Sequence, residues 1–235
     1  VRIRALATAI LTGSLAVAAL AAPVAAGDDP ATVWVAHGIP GAKVDVCAGG
    51  SAIKTDFTYG QRFKVELPAG SYTIRVRLAA HEDCQGKVVI KQTVGVTSGL
   101  NATAVAVVKG GTPQLAIYVN DTDAPPTSGF GSSSISVIHE AKAPAVDVWL
   151  AGPVRLAGIS PQPTISDFTR GSQAGPVYLD SDVYTYWVSL PDTSAPVIGP
   201  RVTEFKDGRA YVVIAVGTNA SNYRFITFSN PFTIS

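Results

Sequence analysis

The chain has 235 residues, of which 47% are hydrophobic and only 15% charged, and its formal net charge is +1. With no long run of like charge, it lacks the clustered basic face of a nucleic-acid binder and the polybasic patch of a membrane-surface protein. Its length suits one large domain or two of about 100–150 residues each.

Residues 1–26 read as an export signal. Arg2 and Arg4 precede an apolar stretch over 5–22, Pro23 ends it, and Val24-Ala25-Ala26 offers a signal peptidase the small residues it needs. Cleavage after Ala26 predicts a mature chain beginning at Gly27 with no membrane span. An uncleaved anchor is the alternative, because the apolar stretch is nearly long enough to cross a bilayer. Ile3 separates the two arginines and no cysteine follows the site, so neither twin-arginine export nor a lipid anchor is expected. Val1 in place of Met reads as a literally translated alternative start codon, as in a bacterial gene.

Beyond the signal, short runs rich in Val, Ile, Thr, Tyr and Phe alternate with polar residues, as in Ser71-Tyr72-Thr73-Ile74-Arg75-Val76-Arg77-Leu78. Turn residues punctuate them at Pro40-Gly41, Gly49-Gly50, Pro68-Ala69-Gly70 and Gly110-Gly111-Thr112-Pro113. Strands spaced in this way, about seven to a unit, predict an antiparallel β-sandwich of immunoglobulin-like type. The only two cysteines, Cys47 and Cys84, fall in the exported part, where a pair is expected to be bridged. A two-cysteine metal site is the rival reading, but neither residue has a CxxC partner.

The chain repeats itself. Val33-Trp34-Val35-Ala36-His37 and Val44-Asp45-Val46 recur 102 positions later as Ile135-Ser136-Val137-Ile138-His139 and Val146-Asp147-Val148. Further on, Asp56-Phe57-Thr58 meets Asp167-Phe168-Thr169, residues 67–78 meet 179–190, and the alternating run 104–108 meets 211–216. A period this long indicates duplication of a whole domain rather than a solenoid. The expected organisation is a signal peptide over 1–26, a first sandwich over 27–122, a Pro/Gly/Ser-rich linker over 123–133 and a second sandwich over 134–235.

Val35-x-His37, Ala42-x-Val44-Asp45-Val46, Asp56-Phe57 and Leu67-Pro68-Ala69-Gly70-Ser71-Tyr72 together resemble the bacterial extracytoplasmic "domain of unknown function 4397" family. The resemblance covers nearly all of residues 31–121 and, more weakly, 134–230. The second copy departs from it at Leu179-Asp180-Ser181-Asp182. The resemblance implies an extracytoplasmic β-sandwich and no agreed activity, so it assigns no functional residue.

His37 and His139 are the first candidates for a site, since both copies keep them at the end of an apolar strand face. Asp45 and Asp147 lie in the following strand, so a His–Asp contact across a hairpin is expected in each copy. Such a pair could orient a nucleophile. With no Ser or Cys recurring to complete a triad, the reading favoured is a hydrogen-bonded pair that satisfies a buried site. Asp121 with Asp123, and Asp180 with Asp182, could contribute to a calcium site, but two carboxylates fall short of the six to eight oxygens that ion takes. Trp34, Tyr59, Trp149, Trp187 and Tyr223 could stack on sugars, though a core role is favoured, and Trp149 aligns with Cys47. Leu190-Pro191-Asp192-Thr193-Ser194 approaches a sortase signal without completing one.

These readings assign no catalytic residue, cofactor or metal. They point to a secreted or cell-wall-associated, non-enzymatic binding or structural module whose partner is a protein or glycan of the envelope, with no nucleic acid. A carbohydrate-binding protein is the alternative, and an extracellular hydrolase is less favoured.

Overall fold

The computed structural model describes residues 29–80, 84–125, 132–152 and 162–233. The expected export signal and its cleavage site, and most of the linker, lie outside them. Sixteen strands form four sheets of four, and no helix occurs among the described residues. The first half holds β1 (Ala31–His37), β2 (Lys43–Ala48), β3 (Ser51–Thr58), β4 (Arg62–Leu67), β5 (Gly70–Leu78), β6 (Val88–Val96), β7 (Asn101–Lys109) and β8 (Thr112–Val119). The second holds β9 (Ser133–His139), β10 (Val146–Ala151), β11 (Ile165–Phe168), β12 (Gln173–Leu179), β13 (Asp182–Ser189), β14 (Pro196–Phe205), β15 (Arg209–Val216) and β16 (Arg224–Pro231).

In the first half the sheets run β4-β1-β7-β8 and β3-β2-β5-β6; in the second, β12-β9-β15-β16 and β11-β10-β13-β14. The second half thus repeats the first strand for strand. The sandwiches are not wholly antiparallel, because β1 runs parallel to β7 and β9 parallel to β15. Parallel neighbours need a long connection, and here five intervening strands supply it.

Alternation explains the outer sheets: in β5, Ile74 and Val76 turn inward and are buried. The inner sheets follow a different rule. In β7, Ala102 through Val107 are all buried, as are Ala210 through Val216 in β15. A strand buried on both faces reads as a continuous apolar run. Each of these strands has a core on either side. One face of β7 joins Val44, Val46, Phe57 and Val76 inside the first sandwich, and one face of β15 joins Val148, Tyr186, Val188 and Phe205 inside the second. Their other faces meet in a third core, where Ala36, Val105 and Val107 pack against Ile138, Val212, Ile214, Val216, Ile226 and Phe228. The molecule is therefore four stacked sheets with three apolar layers. Ile138, Ile214 and Ile226 are 0–1% exposed, and each contributes about 1.5–3 kcal/mol by leaving water.

Polar contacts frame this middle layer. Trp34 stacks on Phe228 with ring centres 4.4 Å apart and donates from Nε1 to Oδ1 of Asn230 at 2.8 Å. Glu140, whose side chain is fully buried, lies 2.8 Å from Nζ of Lys109 and 3.8 Å from Nε of Arg170, and accepts a hydrogen bond from the Tyr118 hydroxyl. Burial and that bond to Glu140 push the Tyr118 pKa up. Arg170 also reaches across to the Val108 carbonyl at 2.7 Å.

Cys47 and Cys84 are bridged, with Cα atoms 6.2 Å apart, tying the β5–β6 connection to β2. In the second half Trp149 takes the place of Cys47. It stacks on Trp187 at 5.5 Å and donates to the Ser189 hydroxyl at 2.8 Å, while Trp187 donates to the Ser194 carbonyl at 3.0 Å. Two stacked indoles thus fasten the loop that the disulfide fastens in the first half.

Candidate functional site

The repeated His and Asp residues do not meet. Strands β1 and β2 belong to opposite sheets, as do β9 and β10, so the chain crosses the sandwich where a hairpin was expected. His37, 1% exposed, accepts at Nδ1 from the Ile39 amide at 3.3 Å. His139 is equally buried, and its Nε2 lies 3.2 Å from the Pro144 carbonyl. Burial pushes both imidazole pKa values down, against the opposing pull of the Ala42 carbonyl on His37 and the Pro144 carbonyl on His139.

Each Asp instead holds backbone. Asp45 accepts the amide of Asp56 at 3.1 Å through one oxygen and that of Cys84 at 3.2 Å through the other. Asp147 accepts the amide of Asp167 at 3.0 Å. Asp56 and Asp167 sit in the left-handed region, with φ of 52° and 51°, a conformation that Asp tolerates better than most residues. Both lie where the register slips, between Val44 and Val46 in one half and between Val146 and Val148 in the other. The bulge carries the next residue onto the histidine: the ring centres of Phe57 and His37 are 5.4 Å apart, and those of Phe168 and His139 are 6.0 Å apart. The His, Val-Asp-Val and Asp-Phe motifs are thus one folding device, present twice.

The other candidates are also engaged locally. Asp121 accepts the Asp123 amide at 3.1 Å and Asp182 that of Val183 at 2.6 Å. Among the described residues no three His, Cys, Asp or Glu side chains converge as a metal site. Trp34 is committed to the middle layer, and the Tyr223 hydroxyl donates to the Lys142 carbonyl at 2.6 Å.

One site was not visible in the sequence. Arg62 from β4, Arg201 from β14 and Arg224 from β16 line a single open cleft at the junction of the halves, together with Gly60, Pro200 and Thr227. Arg224 lies over the Tyr59 ring, 4.4 Å from its centre. The bare Gly60, at φ +83°, makes room for it, since a Cβ there would come within 2.7 Å of its Nη1. Burial and the neighbouring Arg201 charge hold the Arg62 pKa below its ordinary value. Among the described residues no carboxylate forms a salt bridge with any of the three. Positions 62, 201 and 224 are remote in sequence, so no charge run announces the cluster.

The family model for the domain of unknown function DUF4397 matches residues 31–149. The chain belongs to the DUF4397 family. The match spans the whole first sandwich and continues through most of β10, so it includes both Val-Asp-Val motifs and the bridged Cys47. Of the three cleft arginines, Arg62 lies within the DUF4397 match, whereas Arg201 and Arg224 lie beyond it. No curated protein matches the chain.

Proposed function

We propose that this DUF4397 protein is a non-enzymatic binding module, exported to the cell envelope or beyond it, that holds an anionic group of an envelope partner in the arginine-lined cleft. The observation that carries the reading is the convergence of Arg62, Arg201 and Arg224, none of which forms a salt bridge with a carboxylate among the described residues. Like charges gathered in one place repel, and an anion in the cleft turns that cost into charge-assisted hydrogen bonds. The cleft draws side chains from both halves, so the second sandwich acts as a second copy of the family domain that completes the site. An extracytoplasmic location is supported by the signal-like residues 1–26 and by the Cys47–Cys84 bridge, since such bridges persist in oxidising compartments. The non-enzymatic reading is supported by the engagement of each repeated Asp with backbone amides.

The test is retention of the mature chain on purified cell-wall material, with and without its anionic polymers, at rising salt. Wild type should bind the anionic material and be released by salt, and Arg62→Gln/Arg201→Gln/Arg224→Gln should lose retention. Equal retention of both proteins, or binding indifferent to salt, would overturn the proposal.

A further inference from the structure

We infer that the outer face of the second sandwich binds an alkylammonium group, at a site separate from the arginine cleft. Both halves carry Asp on that face, but only the first surrounds it with partners. Val44 and Val46 in β2, like Val148 and Val146 in β10, pack in the cores, so Asp45 with Cys47, and Asp147 with Trp149, stand on the outer side. Strand register identifies their neighbours. Arg77 stands opposite Asp45 and Arg75 opposite Cys47, whereas Ser189 stands opposite Asp147 and Trp187 opposite Trp149. Lys43 precedes Val44 and pairs with Asp56 at 3.2 Å. Its counterpart before Val146 is Ala145, which offers Asp167 no such cation. Where the first half has three basic residues, the second has Ala, Trp and Ser. The following loop differs in the same sense. In the first half it gives one oxygen of Asp45 the Cys84 amide at 3.2 Å. In the second it brings Asp192, whose φ of 62° matches the 60° of Cys84. Asp147 is only 7% exposed, yet it keeps the Asp167 amide alone, and its second oxygen accepts no hydrogen bond among the described residues.

Asp147, Asp167 and Asp192 line one open cleft of about 520 Å3, together with Trp149, Pro163 and Pro191. No basic residue lines it, and none of the three carboxylates forms a salt bridge among the described residues. A carboxylate this buried is costly while its partners are missing, and a cation entering the cleft supplies them. The spread of the carboxylates selects the kind of cation. They do not converge as the ligands of a metal ion must, and the indole and the two prolines offer apolar surface between them. An alkylammonium group meets both conditions: its nitrogen has three N–H donors and no acceptor, and its methylene stem lies along apolar walls while the head stays charged. The lysine side chain of a partner and a free diamine share this chemistry.

The experiment is titration calorimetry of the mature chain, disulfide intact, with two probes: cadaverine, and a Gly-Gly-Lys-Gly-Gly peptide capped at both ends. Tetramethylammonium, a cation without N–H donors, and calcium chloride serve as comparisons. Wild type should take up one probe per chain, and salt should weaken the binding. Tighter binding of cadaverine would identify a free amine as the natural source, and tighter binding of the peptide a partner's lysine. Asp147→Asn should weaken affinity about tenfold or more, the effect of losing one charge-assisted hydrogen bond. Asp192→Asn and Ala145→Lys should also weaken it, the second by importing the cation of the first half. Asp192 is exposed and Asn tolerates its left-handed backbone, so both variants should keep the wild-type unfolding midpoint, and their loss of binding cannot be laid to misfolding. Asp56→Asn, at the matching place in the first half, should bind as wild type does. Four results would each overturn the inference: no saturable uptake of either probe, unchanged affinity in Asp192→Asn and Ala145→Lys, tetramethylammonium binding as tightly as cadaverine, or calcium binding more tightly than both amines.

Discussion

Replacing Glu140 by Ala should loosen the junction between the halves more than any other single polar substitution there. The carboxylate is fully buried and is shared by Lys109 and Tyr118 of the first sandwich and Arg170 of the second. Removing one partner of a buried ion pair typically costs about 3–5 kcal/mol, because the cations left behind are neither paired nor hydrated. Here the Lys109 and Arg170 side chains are 36% and 25% exposed, so both regain some water and the expected loss falls to about 2–3 kcal/mol. Glu140→Gln keeps an acceptor for the Tyr118 hydroxyl and should lose about half as much. Urea unfolding of the mature chain, followed by tryptophan fluorescence, measures both: the midpoint should fall in the order wild type, Gln, Ala with an unchanged slope. A loss under about 0.5 kcal/mol for Ala, or equal losses for Ala and Gln, would refute the assignment of Glu140 as the shared anion.

Other expectations follow from the same contacts. Asp147→Ala should cost about 1–3 kcal/mol by releasing the Asp167 amide, and its effect should add to that of His139→Ala in a double-mutant cycle, since the two side chains do not touch. Coupling above about 0.5 kcal/mol in that cycle would show that they do. Burial depresses the folded-state pKa of His37 and His139 below 6.5. The unfolded chain therefore binds more protons below that pH, so stability is fully present above about pH 6.5 and is lost as pH falls through the folded-state values. Thermal unfolding of His37→Gln/His139→Gln between about pH 5 and 8 should show a shallower acid loss than wild type. Breaking the Cys47–Cys84 bridge, which closes a separation of 37 residues, should cost about 4 kcal/mol in the chain-entropy model. Unfolding of Cys47→Ala/Cys84→Ala beside the oxidised parent measures it.

The strands, the sandwich type and the disulfide were legible because each depends on local signals: period-2 alternation, Pro-Gly turns and a lone pair of cysteines. The His–Asp contact was misread because alternation reports which face a residue occupies and not which sheet its strand joins. His37 and Asp45 are eight residues apart and stand in opposite walls, His37 turned into the sandwich and Asp45 on the parity opposite to the core residues Val44 and Val46. The middle layer had a signal that alternation obscures. Ala102 to Val107 and Ala210 to Val216 are nearly unbroken apolar runs, and such runs mark strands covered on both faces. Reading them as alternating hid the packing of one sandwich on the other. The arginine cleft was out of reach, because Arg201 and Arg224 come from opposite sheets of the second half and only the stacking of the halves brings Arg62 to them.

The layer between the halves is built from matching positions of the two repeats: Ala36 faces the layer as Ile138 does, Val105 as Ile214, and Val107 as Val216. Such a face is complementary to its own duplicate, like the contact surface of a twofold dimer. Joining both copies in one chain replaces a bimolecular equilibrium with an internal one governed by effective concentration, commonly millimolar for short tethers. Dilution, which dissociates a dimer of separate chains, therefore leaves this pairing intact. A groove that needs both copies, as the arginine cleft does, stays assembled at any protein concentration.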